Sequence, residues 1–144
     1  VGDEKRKARR VSLAPLLNAS PVIQIHAFAA MSAFALGIVQ FAAPKGTLPH
    51  RTIGWIWVVL MLSIAISSFW IHGKTNRLIG VFSPIHLLSI LVLVMVPLAV
   101  WHAHRHNVRG HMFTMIGVFT GALVIAGLFT FVPGRIMHEV AFGP

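Results

Sequence analysis

The sequence predicts an all-α integral membrane protein, an up-down-up-down bundle of four transmembrane helices. Three observations predict it. Four apolar stretches, roughly Pro21–Ala43, Thr52–Ile71, Pro84–His102 and Met112–Val132, occupy most of the 144 residues. Each is long enough for a hydrocarbon core of about 30 Å, which needs about 20 apolar residues per helix. The chain is 56% hydrophobic and 10% charged, too few polar residues to cover a water-facing surface. The connections Pro44–Arg51, His72–Ser83 and Ala103–His111 are short, so sequence neighbours must be antiparallel spatial neighbours.

The domain reading follows: residues 1–19 as a basic, partly interfacial tail, 20–138 as the membrane domain, 139–144 as a C-terminal tail. The tail is basic at first (Lys5, Arg6, Lys7, Arg9, Arg10) and then mildly amphipathic at Val11, Leu13, Leu16 and Leu17. Ser20-Pro21 opens span one as N-cap and first helical residue, and Ser83-Pro84 opens span three in the same way. The first stretch is too long for a signal-peptide core and lacks a convincing cleavage site, so it is expected to be retained as a span. Pro97 lies inside span three and demands a kink or local compensation, and Pro133-Gly134 ends span four.

The halves resemble each other. His26 and His50 are 24 residues apart, His86 and His111 are 25 apart, and Ile53-Gly54 is echoed by Ile116-Gly117. This suggests two repeated helical hairpins. Trp55, Trp57, Trp70 and Trp101 fall near span ends, where an interfacial aromatic belt is expected.

Net charge is +9. With the N-terminus inside, eight of the twelve Lys and Arg residues fall on the inner side (the basic block, Lys74, Arg77, Arg135) and four outside (Lys45, Arg51, Arg105, Arg109). The positive-inside rule then places both termini in the cytoplasm. The basic block is read as a topology signal and a contact for anionic lipid; without interleaved aromatics it does not point to nucleic acid.

Small residues mark packing faces. Span one carries Ala27, Ala29, Ala30, Ser32, Ala33, Ala35 and Gly37; span four carries Gly117 and Gly121 at small-xxx-small spacing, then Ala122, Ala126 and Gly127. They let helix backbones approach and also clear room for a flat macrocycle. The Gly117/Gly121 face is expected to be a close helix contact, within the bundle or with a partner. Ser63 and Ser67 lie one turn apart, placed to bond carbonyls or a neighbouring helix.

The chemistry rests on nine histidines. One stands near the start of each span: His26, His50, His86 and His111. In an alternating chain His26 and His86 share one depth, His50 and His111 the other. Diagonal helices of a square bundle lie about 13–14 Å apart, since neighbours pack at about 8–10 Å. That gap suits a haem with an axial imidazole from each side. The simpler alternative is that these are polar packing and interfacial residues, most plainly for His50 and His111 at helix ends. His102 and His106 could share a helix face and bind a divalent metal, although such a cluster in a loop is more often solvated. His72 and His138 have no evident partner.

Other chemistries are disfavoured. There is no cysteine, which removes thiolate ligands, iron–sulfur clusters and disulfides. The acids are Asp3, Glu4 and Glu139, all outside the spans, which argues against carboxylate proton relays and two-metal sites. Nothing positions an oxyanion hole for a Ser-His pair using Ser63 or Ser89.

The run Leu48-Pro49-His50-Arg51-Thr52-Ile53-Gly54-Trp55-Ile56-Trp57-Val58, with His111-Met112 opening a later span, resembles a bacterial family of multi-span membrane proteins known only as a domain of unknown function. The likeness covers about Val22 to Met137. It implies the architecture and no activity. A looser similarity is to four-helix membrane cytochromes of b type, whose bis-histidine haems lie between helices near each membrane face; it implies haem b on His26/His86 and His50/His111. The reading is an electron-transfer protein or subunit rather than a stand-alone catalyst. A cofactor-free accessory or scaffolding subunit of a larger respiratory or photosynthetic membrane complex is the alternative. The expected partners are the bilayer, another membrane complex and, as a candidate redox partner, a quinone. A transporter or channel is weakest, because no charged residue lines the spans.

Overall fold

The computed structural model describes residues 11–71 and 84–143. The basic block, His72, Lys74, Arg77 and Ser83 lie outside the described residues. The elements are α1 (Ala14–Leu17), α2 (Pro21–Ala42), α3 (Leu48–Ser68), α4 (Pro84–His104), α5 (Val108–Phe129) and α6 (Ile136–Phe142). Residues Phe119–Ile125 of α5 form π-helical turns. Helices α2 to α5 are each long and apolar enough to cross a membrane. Their outer faces expose Ile25, Phe28, Leu87, Val94, Leu128 and Phe129, an apolar girdle suited to a lipid surrounding.

Each helix begins where local chemistry stops the preceding chain. Pro21 holds the first turn of α2, after an extended Ser20 that caps by backbone geometry alone, without a side-chain bond. Spans two and four start earlier than the apolar pattern places them, because Thr47 and Asn107 act as N-caps. The Thr47 side chain accepts from the His50 backbone N–H at 3.3 Å, and Asn107 Oδ1 accepts from Gly110 N–H at 3.0 Å. His50 and His111 are therefore inside first helical turns rather than ahead of them. At the C-terminus of α2, Lys45 Nζ donates to the carbonyls of Gln40, Phe41 and Ala43 at 2.7–2.8 Å. These are carbonyls left without helical partners, and a cation there also suits the helix dipole. Pro97 sits within α4 without ending it.

α2 packs on α3, α3 on α4 and α4 on α5, and α5 returns to α2 through its π-helical segment. The ring leaves α2 across from α4 and α3 across from α5, as the short loops require. Its middle is closed by Ala33, Trp57, Val58, Met61, Ala65, Val92, Val96, Val118 and Leu123. Outside the ring, α1 and α6 pack on each other at the end where the chain enters and leaves, joined by a Ser12 N–H to Val140 carbonyl bond at 3.0 Å. Leu16 and Val140 are buried there, and Gln24 Nε2 ties the cap to α2 through the carbonyls of Leu17 and Ala19. Helix α6 runs through the 138/139 boundary, so residues to Phe142 belong to this cap.

Two sequence expectations are corrected. Trp57 is not part of an interfacial belt: it is 3% exposed, whereas Trp55, Trp70 and Trp101 are more than half exposed. Its indole Nε1 donates to the Ala33 carbonyl at 2.9 Å, which removes the cost of burying that N–H. The small residues of α2 make this fit. A Cβ on Gly37 would overlap the Phe119 ring and lie 3.3 Å from Trp57 Nε1. Phe119 there stacks on Phe34 and meets Phe41 edge-on, so the π-helical turns begin where α5 reaches α2. The second correction concerns one arm of the Gly117/Gly121 expectation, contact within the bundle, which the two glycines do not make; the arm that remains is contact with a partner. No atom lies within 4 Å of a Cβ placed on either. They line an open groove of about 210 Å³ between α4 and α5, walled by Leu88, Leu91, Met95 and Phe113. The echo between Gly54 and Gly117 is thus one of sequence only, since Gly54 is closed over by the Gln40 amide.

The two glycine environments predict opposite outcomes. Gly37→Leu must displace the Phe119 ring and should destabilise the protein by about 1–3 kcal/mol, the usual cost of overpacking. Gly121→Leu should leave the melting temperature of the isolated chain unchanged. Thermal unfolding in detergent compares them; equal losses would contradict this packing. In the same assay Trp57→Ala should cost about 3–5 kcal/mol, as for a buried large-to-small replacement.

Candidate functional site

Polar side chains collect at the two ends of the bundle, about 25 Å apart along α3 at 1.5 Å per residue. This is close to the thickness of the hydrocarbon core. The end bearing the terminal cap holds His26 on α2, Ser67 and Ser68 on α3, and His86 and Ser89 on α4. His26 Nδ1 lies 3.0 Å from Ser67 Oγ, and the Ser67 hydroxyl is directed to the Ile64 carbonyl at 3.0 Å. Ser68 and Ser89 share a short hydroxyl–hydroxyl hydrogen bond. Each hydroxyl also lies within hydrogen-bond distance of a carbonyl of its own helix, Ala65 and Ile85 respectively, and their two protons serve the bond that joins α3 to α4 and one of these carbonyls. His86 is 6% exposed, with its ring 5.6 Å from that of Phe69.

The opposite end holds Gln40 on α2, His50 on α3 and His111 on α5. Gln40 Nε2 donates to the His50 carbonyl at 2.8 Å. Gly54, one turn along, leaves room for that amide, since a Cβ there would stand 3.1 Å from it. His111 Nδ1 bonds the Ala99 carbonyl at 2.9 Å. Two buried atoms at this end have no partner, Gln40 Oε1 and His50 Nδ1. An unpaired buried polar atom costs about 1–3 kcal/mol, so a site that keeps two of them calls for an explanation.

The four histidines thus sort by depth as the alternating spans require. His26 and His86 stand on the diagonal helices α2 and α4 at the capped end, His50 and His111 on α3 and α5 at the other. The other histidines among the described residues do not join them. α4 ends at His104, and His106 follows in a turn with φ 55°, so His102 and His106 share no helix face. His102 Nδ1 instead lies 3.2 Å from the Asn107 side-chain amide. Among the described residues, no group of three or more His, Cys, Asp or Glu side chains is placed to hold a metal ion. His138 Nδ1 bonds the Phe131 carbonyl at 2.8 Å and steadies the chain between α5 and α6.

Gln40 was not singled out by motif. Its signal is nonetheless in the sequence: an amide near the end of an otherwise apolar span, where a polar side chain is a functional candidate by default.

A family model described as predicted membrane protein, DUF2306, matches residues 23–142. The chain belongs to this family of membrane proteins of unknown function. The His50-Arg51, Gly54-Trp55 and His111-Met112 motifs fall within the matched region. In the fold the first two bring Gln40 and His50 together. No curated protein and no solved structure matches the chain. The likeness to b-type cytochromes therefore rests on the histidine pattern alone.

The burial pattern predicts an order of chemical modification. In detergent, diethyl pyrocarbonate should label exposed His104 and His106 first and His86 last, read by mass spectrometry of peptides. His86 reacting as fast as His106 would contradict its place between α3 and α4.

Proposed function

We propose that this chain is a small haem-binding, b-type cytochrome-like electron-transfer protein or subunit of the bacterial inner membrane. The observation that carries the reading is the placement of one histidine per span in two layers, each layer on diagonal helices of a closed ring. His50 Nδ1 is a buried ring nitrogen with no protein partner. His111 must carry a proton on Nδ1, because the Ala99 carbonyl can only accept, so Nε2 is the nitrogen that bears the lone pair in the neutral ring. Neutral imidazole nitrogens of this kind are the donors haem iron takes. When bound, haem supplies one-electron oxidation and reduction.

The chain's own residues supply the rest. Trp57, Met61 and Val96 close the middle of the bundle, so the two layers are separate sites, one near each membrane face. The apolar spans exclude water from both. The acceptors beside His26 and His111 hold those rings against rotation. The open α4–α5 groove has no histidine in its walls and is no part of this site.

The positive-inside bias supports placing both termini in the cytoplasm. Helices α1 and α6 already share one end of the bundle. On this reading His26 and His86 form the inner layer and His50 and His111 the outer one.

One observation favours the second reading, a cofactor-free accessory subunit of a larger membrane complex. The Gly117/Gly121 groove is open and apolar, and small-residue faces are where membrane helices meet.

Purified protein reduced with dithionite should show the sharp visible bands of a low-spin b-type haem. His26→Ala and His86→Ala should remove or alter one component, and His50→Ala and His111→Ala another. A pure, folded protein with no haem absorbance after haem supplementation overturns this reading and leaves the accessory role. A reporter fused after Pro144 should be active only in its cytoplasmic form; the opposite result would invert the layers.

A further inference from the structure

Each histidine layer contains one imidazole whose Nδ1 is met by an acceptor on a neighbouring helix. In the outer layer it is His111, on the Ala99 carbonyl of α4. In the inner layer it is His26, on Ser67 Oγ of α3. The serine is a hydroxyl and could in principle donate or accept. The Ile64 carbonyl in the preceding turn lies 3.0 Å from the same hydroxyl and also faces His26; a carbonyl only accepts, and with the Ser67 proton on it the oxygen turns its lone pairs to His26. In that arrangement the His26 proton stands on Nδ1, and Nε2 is left as the basic nitrogen. The two layers are alike: one ring in each is held in the same tautomer from an adjacent helix, once by a backbone carbonyl and once by a hydroxyl already bound to one.

We propose that Ser67 is a positioning residue that locks His26 as an Nε2 ligand of the inner layer. This rests on the haem reading above. The physical basis is general. A ligating imidazole almost always donates its second N–H to an acceptor, which fixes ring orientation and raises ligand basicity, and loss of that acceptor typically costs about 10–100-fold in metal affinity. A half-buried serine that serves only to bond its own helix turn would need no imidazole across the interface. Ser63, one turn earlier, shows the plain arrangement, with its hydroxyl on the Val59 carbonyl at 2.8 Å and no histidine.

The test has two arms on the full chain in detergent. In the first, nitrogen NMR of haem-free protein labelled at histidine reads the tautomer of His26, assigned by its loss in His26→Gln. Wild type should be the Nδ1–H form, Ser67→Ala should become a mixture or the Nε2–H form, and Ser67→Thr should restore the wild-type signal. In the second, titration with haemin should show inner-layer affinity about 10–100-fold weaker in Ser67→Ala and near wild type in Ser67→Thr, with a matching shift in midpoint potential. A wild-type His26 in the Nε2–H form, or a tautomer and haem affinity unchanged in Ser67→Ala, overturns the proposal. The failures are distinguishable. Protein that takes up no haem but keeps a Ser67-dependent tautomer overturns the haem reading and with it the ligand role. Protein that takes up haem with no dependence on Ser67 overturns this inference alone.

Discussion

Every polar group carried into the bilayer must find its partner inside the bundle. Water is absent from the hydrocarbon core, and an unpaired amide or hydroxyl there costs several kcal/mol. Among the described residues, the buried polar side chains of the spans obey this almost without exception, whereas Ser32 and Thr120 are exposed. Ser63, Thr114 and Ser89 return their hydroxyls to carbonyls of the preceding turn. Trp57 reaches across to a carbonyl of α2. The exceptions, Gln40 Oε1 and His50 Nδ1, stand together at one end of the bundle. The departure from the rule is local, and it coincides with the histidine layer whose other member is already held by the Ala99 carbonyl.

The same constraint separates structure from chemistry. The middle of the ring is apolar and closed, filled by an indole with its N–H satisfied and by aliphatic side chains. That closure depends on small residues: Ala33 and Gly37 let Trp57 and Phe119 lie against α2. Polar residues are displaced to the two ends, where helix starts supply caps and free backbone groups. Four antiparallel spans with a histidine near each start then give two layers by geometry alone. The cap formed by α1 and α6 covers one of them.

Much of this was legible in the sequence, for identifiable reasons. Span number and antiparallel order follow from apolar length and loop length, which tolerate errors of several residues. Pro21 marks its helix start because a proline fits there at no cost. The finer errors came from signals that name a residue type without its direction. Trp57 is two residues from Trp55, so the two rings point to different sides of one helix, and only packing decides which meets lipid. Gly117 and Gly121 have the spacing of a helix contact, but spacing does not say whether the facing helix is present. The π-helical turns at Phe119 leave no mark in composition. Thr47 and Asn107, which set the true starts of α3 and α5, are ordinary caps hidden in polar loops. The pairing of His26 with Ser67 required knowing which faces of α2 and α3 meet.

The proposal at the centre of this account is that His26, His86, His50 and His111 would hold haem. Electron paramagnetic resonance of the oxidised, haem-loaded protein tests it most directly. The account predicts low-spin ferric signals of bis-imidazole type, with one component lost in His26→Ala and another in His111→Ala. A high-spin ferric signal, or a low-spin signal indifferent to all four histidines, would contradict it.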